Sequence, residues 1–127
     1  MRTTVLAALG MTATLLLACD TGPTQPEDII FPASDVSYAR HVQPLFDLGC
    51  SFSGCHNGDD RAGSLSLASY FDLIGRPGVV VPSDSARSLL VQIVRERSPH
   101  TYQISSIITS DQARGIAVWV EEGASNN

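Results

Sequence analysis

The sequence predicts an all-α fold: one small domain with three longer helices, joined by loops rich in glycine and proline. Apolar residues recur at helical spacing in three segments, and only two short pieces, residues 65–67 and 79–81, suggest extended chain. Turn-forming pairs such as Pro77-Gly78 separate these segments. The chain of 127 residues allows one domain. A folded part of about 90 residues has only a marginal core of its own.

The first 18 residues predict an export signal. Arg2 precedes a nearly unbroken apolar run over residues 5–18, which is too short to span a bilayer and fits a secretory signal. The run ends Leu-Leu-Ala-Cys at Cys19 and resembles the bacterial lipoprotein signal. That resemblance implies that Cys19 is the acylated first residue of an extracytoplasmic protein anchored to a bacterial membrane. The alternative is an incidental cysteine beside an ordinary cleavage site.

Residues 19–34 are predicted to form a flexible tether, because residues 20–28 are polar, aperiodic and contain proline. Fully extended, residues 20–34 would reach roughly 50 Å from the anchor. The folded domain is predicted over residues 35–125. Its first long helix carries apolar residues from Val36 to Leu48, with Ser34 or Asp35 as its cap.

Glycine and proline divide the helical part of the chain. Pro44 bends or splits the first helix, because proline cannot donate to the helix ladder, and Gly49 ends it. A brief helix over residues 70–74 is predicted next, capped by Ser69 and closed by Gly75.

The second and third long helices follow from capping signals. Residues 83–85 offer capping oxygens to a second helix, whose apolar residues are Leu89, Leu90, Ile93 and Val94. Thr109 and Gln112 have the spacing of a capping box for the last helix. Trp119 is predicted at the edge of its apolar face, and Gly123 as its C-terminal cap.

One motif contains residues that can attach a cofactor and bind a metal. Cys50 and Cys55 are separated by four residues, and His56 follows directly. Covalent haem c needs two thiols for the porphyrin vinyl groups and an imidazole beside the second thiol, which becomes the proximal iron ligand. The usual spacing has two residues between the cysteines. The longer loop here must bulge, and Gly54 supplies the necessary backbone freedom.

Two other readings of these residues stay open. A Cys50–Cys55 disulfide would suit an exported protein, with His56 as a solvated side chain. A zinc site would need three or four ligands, and the remaining histidines, His41 and His100, are distant from the motif in sequence.

Beyond the motif, the chain resembles the small cytochrome c domains common in planctomycetes and related bacteria. The resemblance runs in order over residues 36–124. It implies a cytochrome c-like domain around one covalent haem c, held by Cys50 and Cys55 and ligated by His56. The matching segments are residues 42–46, 50–56, 63–67, 69–73, 81–90, 108–112, 119–120 and 123–124.

The distal ligand departs from that family, which usually has a methionine in a Met-Pro-Pro segment just before the last helix. This chain has methionine only at Met1 and Met11, inside the predicted signal. His100 occupies the corresponding loop and is the candidate distal iron ligand. The alternatives are His41, Tyr102, or a sixth position that holds water or nothing.

Composition limits the function. A net charge of −5 with no lysine argues against a nucleic-acid partner, which needs a basic surface. No paired carboxylates, nucleophile elbow or phosphate loop indicates an enzyme. The sequence therefore predicts a lipid-anchored monohaem c-type cytochrome that carries single electrons between extracytoplasmic redox partners. The alternatives are a haem-based sensor with an open distal site and a haemless, disulfide-bonded surface lipoprotein.

Overall fold

The computed structural model describes residues 22–127, which form helices and contain no strand. This part of the chain confirms the helical fold class. The predicted signal and Cys19 lie outside the described residues. No helix within residues 22–127 has the length and apolar character to cross a bilayer. The α-helices are α1 (Gln43–Gly49), α2 (Tyr70–Ile74), α3 (Leu89–Val94) and α4 (Ser110–Glu121).

The first helix begins later than predicted. A π turn, Tyr38–Val42, leads directly into α1, and the side chain of Ser37 caps it by accepting from the Arg40 N–H at 3.2 Å. The predicted caps are wrong because a distant residue holds this segment. The N–H groups of Asp35 and Val36 donate to the Glu122 carboxylate at 2.7 and 2.9 Å, and Asp35 is left-handed, with φ 57°.

The observed ends of α1 and α2 agree closely with those predicted from the sequence. Pro44 lies in the first turn of α1, where a missing N–H is tolerated. Gly49 is the last residue of α1, as predicted. In α2, Ser69 is the predicted cap and accepts from the Asp72 N–H at 3.2 Å, and Gly75 closes the helix.

The prediction for the second long helix is wrong in the length of the helix and in its cap. Helix α3 has six residues and begins after Ser88 rather than after residues 83–85. The reason is a competing turn, because the Asp84 carboxylate accepts from the Arg87 N–H at 2.9 Å. The buried Ser88 hydroxyl accepts from the Val81 N–H at 2.8 Å and holds this turn closed. Within the described residues, two helical stretches are therefore long rather than three: the π turn that continues into α1, and α4.

Helix α4 carries the predicted capping box. The Thr109 hydroxyl accepts from the Gln112 N–H at 3.2 Å, and the Gln112 side chain accepts from the Thr109 N–H at 2.9 Å. Gly123 ends the helix in the left-handed region, with φ 99°. Trp119, predicted at the edge of the apolar face, is buried, and its side chain is only 1% exposed. The chain after α4 covers it, and its indole N–H donates to the Ser125 carbonyl at 2.9 Å.

Part of the predicted tether packs on the domain. We call residues 26–31 the strap. The side-chain amide of Gln112 donates to the Pro26 and Ile29 carbonyls at 2.6 and 3.0 Å, and Ile29 is 5% exposed. The Phe31 ring crosses α4 at Gly115, where an added Cβ would lie 2.2 Å from the ring. The packed chain therefore begins at Pro26, before the predicted boundary at residue 35.

Candidate haem site

A cavity of about 740 Å³ opens between α1, α3, the cysteine loop and the loop that follows α3. Sites that enclose a small organic ligand have volumes of roughly 300–1,000 Å³. Apolar side chains from α1, α3, α4 and the intervening loops form most of its wall. They include Leu45, Phe46, Leu65, Leu67, Val79, Leu90, Ile93, Ile104, Ile108 and Ile116.

The cysteine motif lies along one wall of this cavity, and the structure brings Cys50, Cys55 and His56 together there. The loop begins where α1 ends, with the Cys50 N–H donating to the Phe46 carbonyl at 2.8 Å. It closes when the His56 N–H donates to the Cys50 carbonyl at 3.1 Å. Gly54 has φ 78°, a conformation that side chains other than glycine rarely adopt.

The His56 ring is oriented by a backbone carbonyl of the loop that follows the motif. Its Nδ1 lies 3.2 Å from the Leu65 carbonyl. A carbonyl can only accept, so this contact is a hydrogen bond when Nδ1 carries the proton. In that tautomer Nε2 has a free lone pair. Histidines that ligate metals commonly donate their other ring N–H to a carbonyl or carboxylate in this way.

His100 approaches the same cavity from the loop after α3. The ring centroids of His56 and His100 are 6.0 Å apart, with 41° between the ring planes. A ring nitrogen lies about 1.1 Å from the ring centre and bonds a metal at about 2.0–2.1 Å. Two imidazoles that bind one metal therefore have centroids within roughly 6 Å of each other. The observed separation brings both rings within that reach.

His100 has two possible hydrogen bonds at one nitrogen. Its Nδ1 lies 3.1 Å from the Tyr102 carbonyl, and the Tyr102 N–H lies 3.2 Å from the same nitrogen. The two contacts need opposite protonation states of Nδ1, so only one can form at a time. Donation to the carbonyl leaves Nε2 free to ligate a metal. His100 is exposed, whereas His56 is half-buried.

The remaining alternatives for the distal ligand are placed differently. His41 is outside the lining of the cavity; its Nδ1 accepts from the Ser37 N–H at 3.0 Å and its ring lies 5.7 Å from that of Phe31. Tyr102 lines the cavity mouth, and its side chain is 60% exposed.

The two thiols are free in the structure and form no disulfide with each other. Burial, with a smaller contribution from Cys55, raises the pKa of Cys50 to about 12. Cys50 is therefore a protonated thiol at neutral pH. Because the thiolate is the nucleophilic form, this thiol is not activated for attack on a substrate.

Arg76 is the one arginine among the residues that line the cavity, and its guanidinium donates to the Ser64 carbonyl at 2.5 Å. Within residues 22–127, no group of three or more His, Cys, Asp or Glu side chains is arranged to hold a metal ion. Haem iron needs fewer protein ligands, because the porphyrin supplies the others.

Sequence reasoning missed part of the cavity wall. Gly49 was interpreted only as a helix end, yet it lines the cavity, and a Cβ there would lie 3.1 Å from the Ile107 side chain. Leu65 and Leu67 were interpreted as extended chain, and both line the cavity. Their alternation with serine was the available signal, because residues two apart on extended chain share a face.

Comparison with known proteins adds no family to this description: no protein-family model, curated protein or solved structure matches the chain. The function is therefore inferred from the residues of this chain and the geometry of the cavity.

Proposed function

We propose that this protein is a lipid-anchored monohaem c-type cytochrome with a cytochrome c-like domain. It carries single electrons between redox proteins outside the cytoplasm. The observation that supports this most is the separation of His56 and His100, 6.0 Å between ring centroids. The two rings line an apolar cavity whose wall also holds Cys50 and Cys55.

The residues present fit one haem. Cys50 and Cys55 would hold it through thioethers, and His56 and His100 would ligate its iron. Arg76 is the cationic side chain available to a propionate at this cavity. When bound, haem supplies a metal that changes its charge by one electron, so no bond in a substrate has to be made or broken.

The protein's own residues set the conditions for that electron transfer. The mostly apolar wall lowers the polarity around the site. Donation from His56 Nδ1 to the Leu65 carbonyl would orient the ring and leave Nε2 as the nitrogen that faces the iron. A second imidazole in place of the usual methionine favours ferric iron and lowers the reduction potential below that of a His/Met cytochrome.

The membrane attachment is supported by sequence alone. Cys19 follows an apolar run with the pattern of a lipoprotein signal. An acylated Cys19 would hold the domain at a bacterial membrane, on its extracytoplasmic side. That compartment is oxidising, so Cys50 and Cys55 would there be bonded to a cofactor or to each other.

One preparation tests the cofactor directly. The protein is expressed with a cytochrome c maturation system, and its intact mass and reduced-minus-oxidised spectrum are recorded. We expect one haem-sized mass increment, a low-spin c-type spectrum, and pigment that acid acetone cannot extract. A colourless protein, or extractable pigment, contradicts the proposal. A mass lower by two hydrogens would instead favour the haemless, disulfide-bonded lipoprotein.

The exposure of His100 favours one alternative function, that of a haem-based ligand-binding sensor. In the tautomer that accepts from the Tyr102 N–H, Nε2 carries the proton and the distal position is left open. A high-spin ferric spectrum that shifts on adding imidazole, with carbon monoxide binding that displaces no protein ligand, would support this function over electron transfer.

A further inference from the structure

The strap, residues 26–31, is fixed to the domain by contacts that the cofactor site does not explain. The buried Gln112 amide donates to two of its carbonyls, those of Pro26 and Ile29. Phe31 fills the space that Gly115 leaves on α4. Chain that could have served as tether is therefore part of the folded domain.

This packing shortens any connection to a lipid anchor. The inference depends on the proposed function, in that it takes Cys19 to be acylated. With the strap docked, residues 20–25 alone separate the acylated cysteine from the fold. They reach about 20 Å when fully extended, less than half the reach that the sequence predicts for residues 20–34. The domain is therefore held close to the lipid surface.

The face beside this connection has a distinct composition. Residues 22–24 line a depression of about 430 Å³, whose wall also includes Ile30, Arg40 and Asp28. Ile30 is 77% exposed. Arg40 is exposed and has no ion-pair partner within the described part of the chain. The Asp28 carboxylate is occupied, since it accepts from the N–H groups of Thr24 and Gln25 at 3.0 Å each.

We propose that this face, centred on Ile30 and Arg40, lies on the lipid surface that carries the acyl chains of Cys19. An apolar side chain at the headgroup boundary and an arginine beside anionic headgroups are the contacts that such a surface favours. One isoleucine and one arginine bind lipid weakly by themselves. A short connection makes the contact intramolecular, so that a weak surface suffices.

The orientation also sets where the cofactor site lies. Pro26 is next to Gly49, 3.9 Å from the position of an added Cβ, and Gly49 lines the candidate haem cavity. The chain to the anchor thus leaves the fold beside the cavity wall. Redox partners embedded in or bound to the same membrane can reach this site.

Lipid photolabelling tests the proposal. The full-length acylated protein, purified from bacterial membranes, is placed in vesicles of phosphatidylcholine and phosphatidylglycerol that contain a diazirine-bearing phospholipid. After illumination, mass spectrometry locates the labels. We expect them to concentrate on the peptide that contains Ile30. Phe71 is the internal comparison, because it is 76% exposed but does not line the depression.

Two variants change the connection to the anchor. Inserting about ten Gly-Ser residues after Gly22 lengthens it without touching the strap, and Phe31→Ser releases the strap from α4. We expect both to lose the selective labelling of Ile30. The insertion keeps the test valid if Phe31→Ser fails to fold.

The outcomes separate this inference from the proposed function. Equal labelling of Ile30 and Phe71, or labelling of Ile30 that the insertion leaves unchanged, overturns the proposed orientation. Neither result contradicts the proposed lipid anchor or the proposed haem. A mature protein whose intact mass shows no acyl group overturns this inference together with the lipid anchor.

Discussion

For single residues, the partner of one imidazole nitrogen decides what the other nitrogen can do. His56 Nδ1 faces only a carbonyl, that of Leu65, so its Nε2 is available to a metal. His100 Nδ1 faces both the carbonyl and the N–H of Tyr102. The two histidines of the site therefore differ. His56 is oriented for ligation, whereas Nε2 of His100 is free to ligate in one tautomer and carries the proton in the other.

Replacing the second histidine tests its role. In the haem-loaded protein we expect His100→Ala to convert the ferric spectrum from low-spin to high-spin, because the sixth ligand is lost. His41→Ala is the matched control, since His41 does not line the cavity, and it should leave the spectrum unchanged. Optical and electron paramagnetic resonance spectra of the two variants make the comparison. A low-spin His100→Ala protein would assign the sixth position to another group.

Among the helices, α4 organises the domain through its first turn. The side chain of Gln112 completes the capping box with its oxygen and holds the strap with its nitrogen. The buried Gln112 side chain thus connects the capping box of residues 109–112 to the strap, which lies more than eighty residues earlier in the chain. Ile116 and Val120, fully buried on the same helix, complete the core contact.

Two variants separate the roles of this turn. We expect Thr109→Ala to lower the free energy of unfolding by about 1 kcal/mol, the usual cost of a lost N-cap. Gln112→Ala should cost more, roughly 2–4 kcal/mol, because two strap carbonyls also lose their donor. Urea unfolding followed by circular dichroism measures both. Equal losses in the two variants would mean that the strap adds nothing to stability.

For the whole molecule, exposed carboxylates make the fold sensitive to acid. Hydrogen bonds hold the pKa values of five carboxyl groups below their usual range. The largest contribution comes from backbone N–H groups at Asp28, Asp60 and Glu96. It comes from side chains, those of Ser69 and Arg87 respectively, at Asp72 and Asp84. A pKa that is lower in the folded protein stabilises the fold when the group is ionised.

The pH dependence of stability follows from that sign. Each carboxylate contributes fully above its unfolded pKa, near 4, and the contribution is lost as the pH falls through its lower folded value. We expect the free energy of unfolding to be smaller at pH 3 than at pH 7. Asp60→Asn should narrow that difference, and Asp59→Asn serves as the control for the change in net charge. Equal stability at both pH values would contradict the prediction.

Predictions that depended on residues a few positions apart were the most accurate. The Thr109–Gln112 capping box, the Ser69 cap and the Gly123 end were confirmed, since each is a hydrogen bond or a backbone conformation within one turn of chain. The caps of the first helix and of α3 were wrong. The distant Glu122 carboxylate holds the start of the first helix, whereas a competing local turn at Asp84 delays the start of α3.

By itself the sequence determined the helical class, the ends of α2 and α4, and the closeness of two thiols and an imidazole. Adjacent residues cannot separate, so Cys55 and His56 lie close together in any fold. Only the tertiary structure decided that His100 faces His56, that the enclosed space is apolar, and that the strap belongs to the domain. Those contacts join residues tens of positions apart, and their free energy comes from packing that no local pattern encodes.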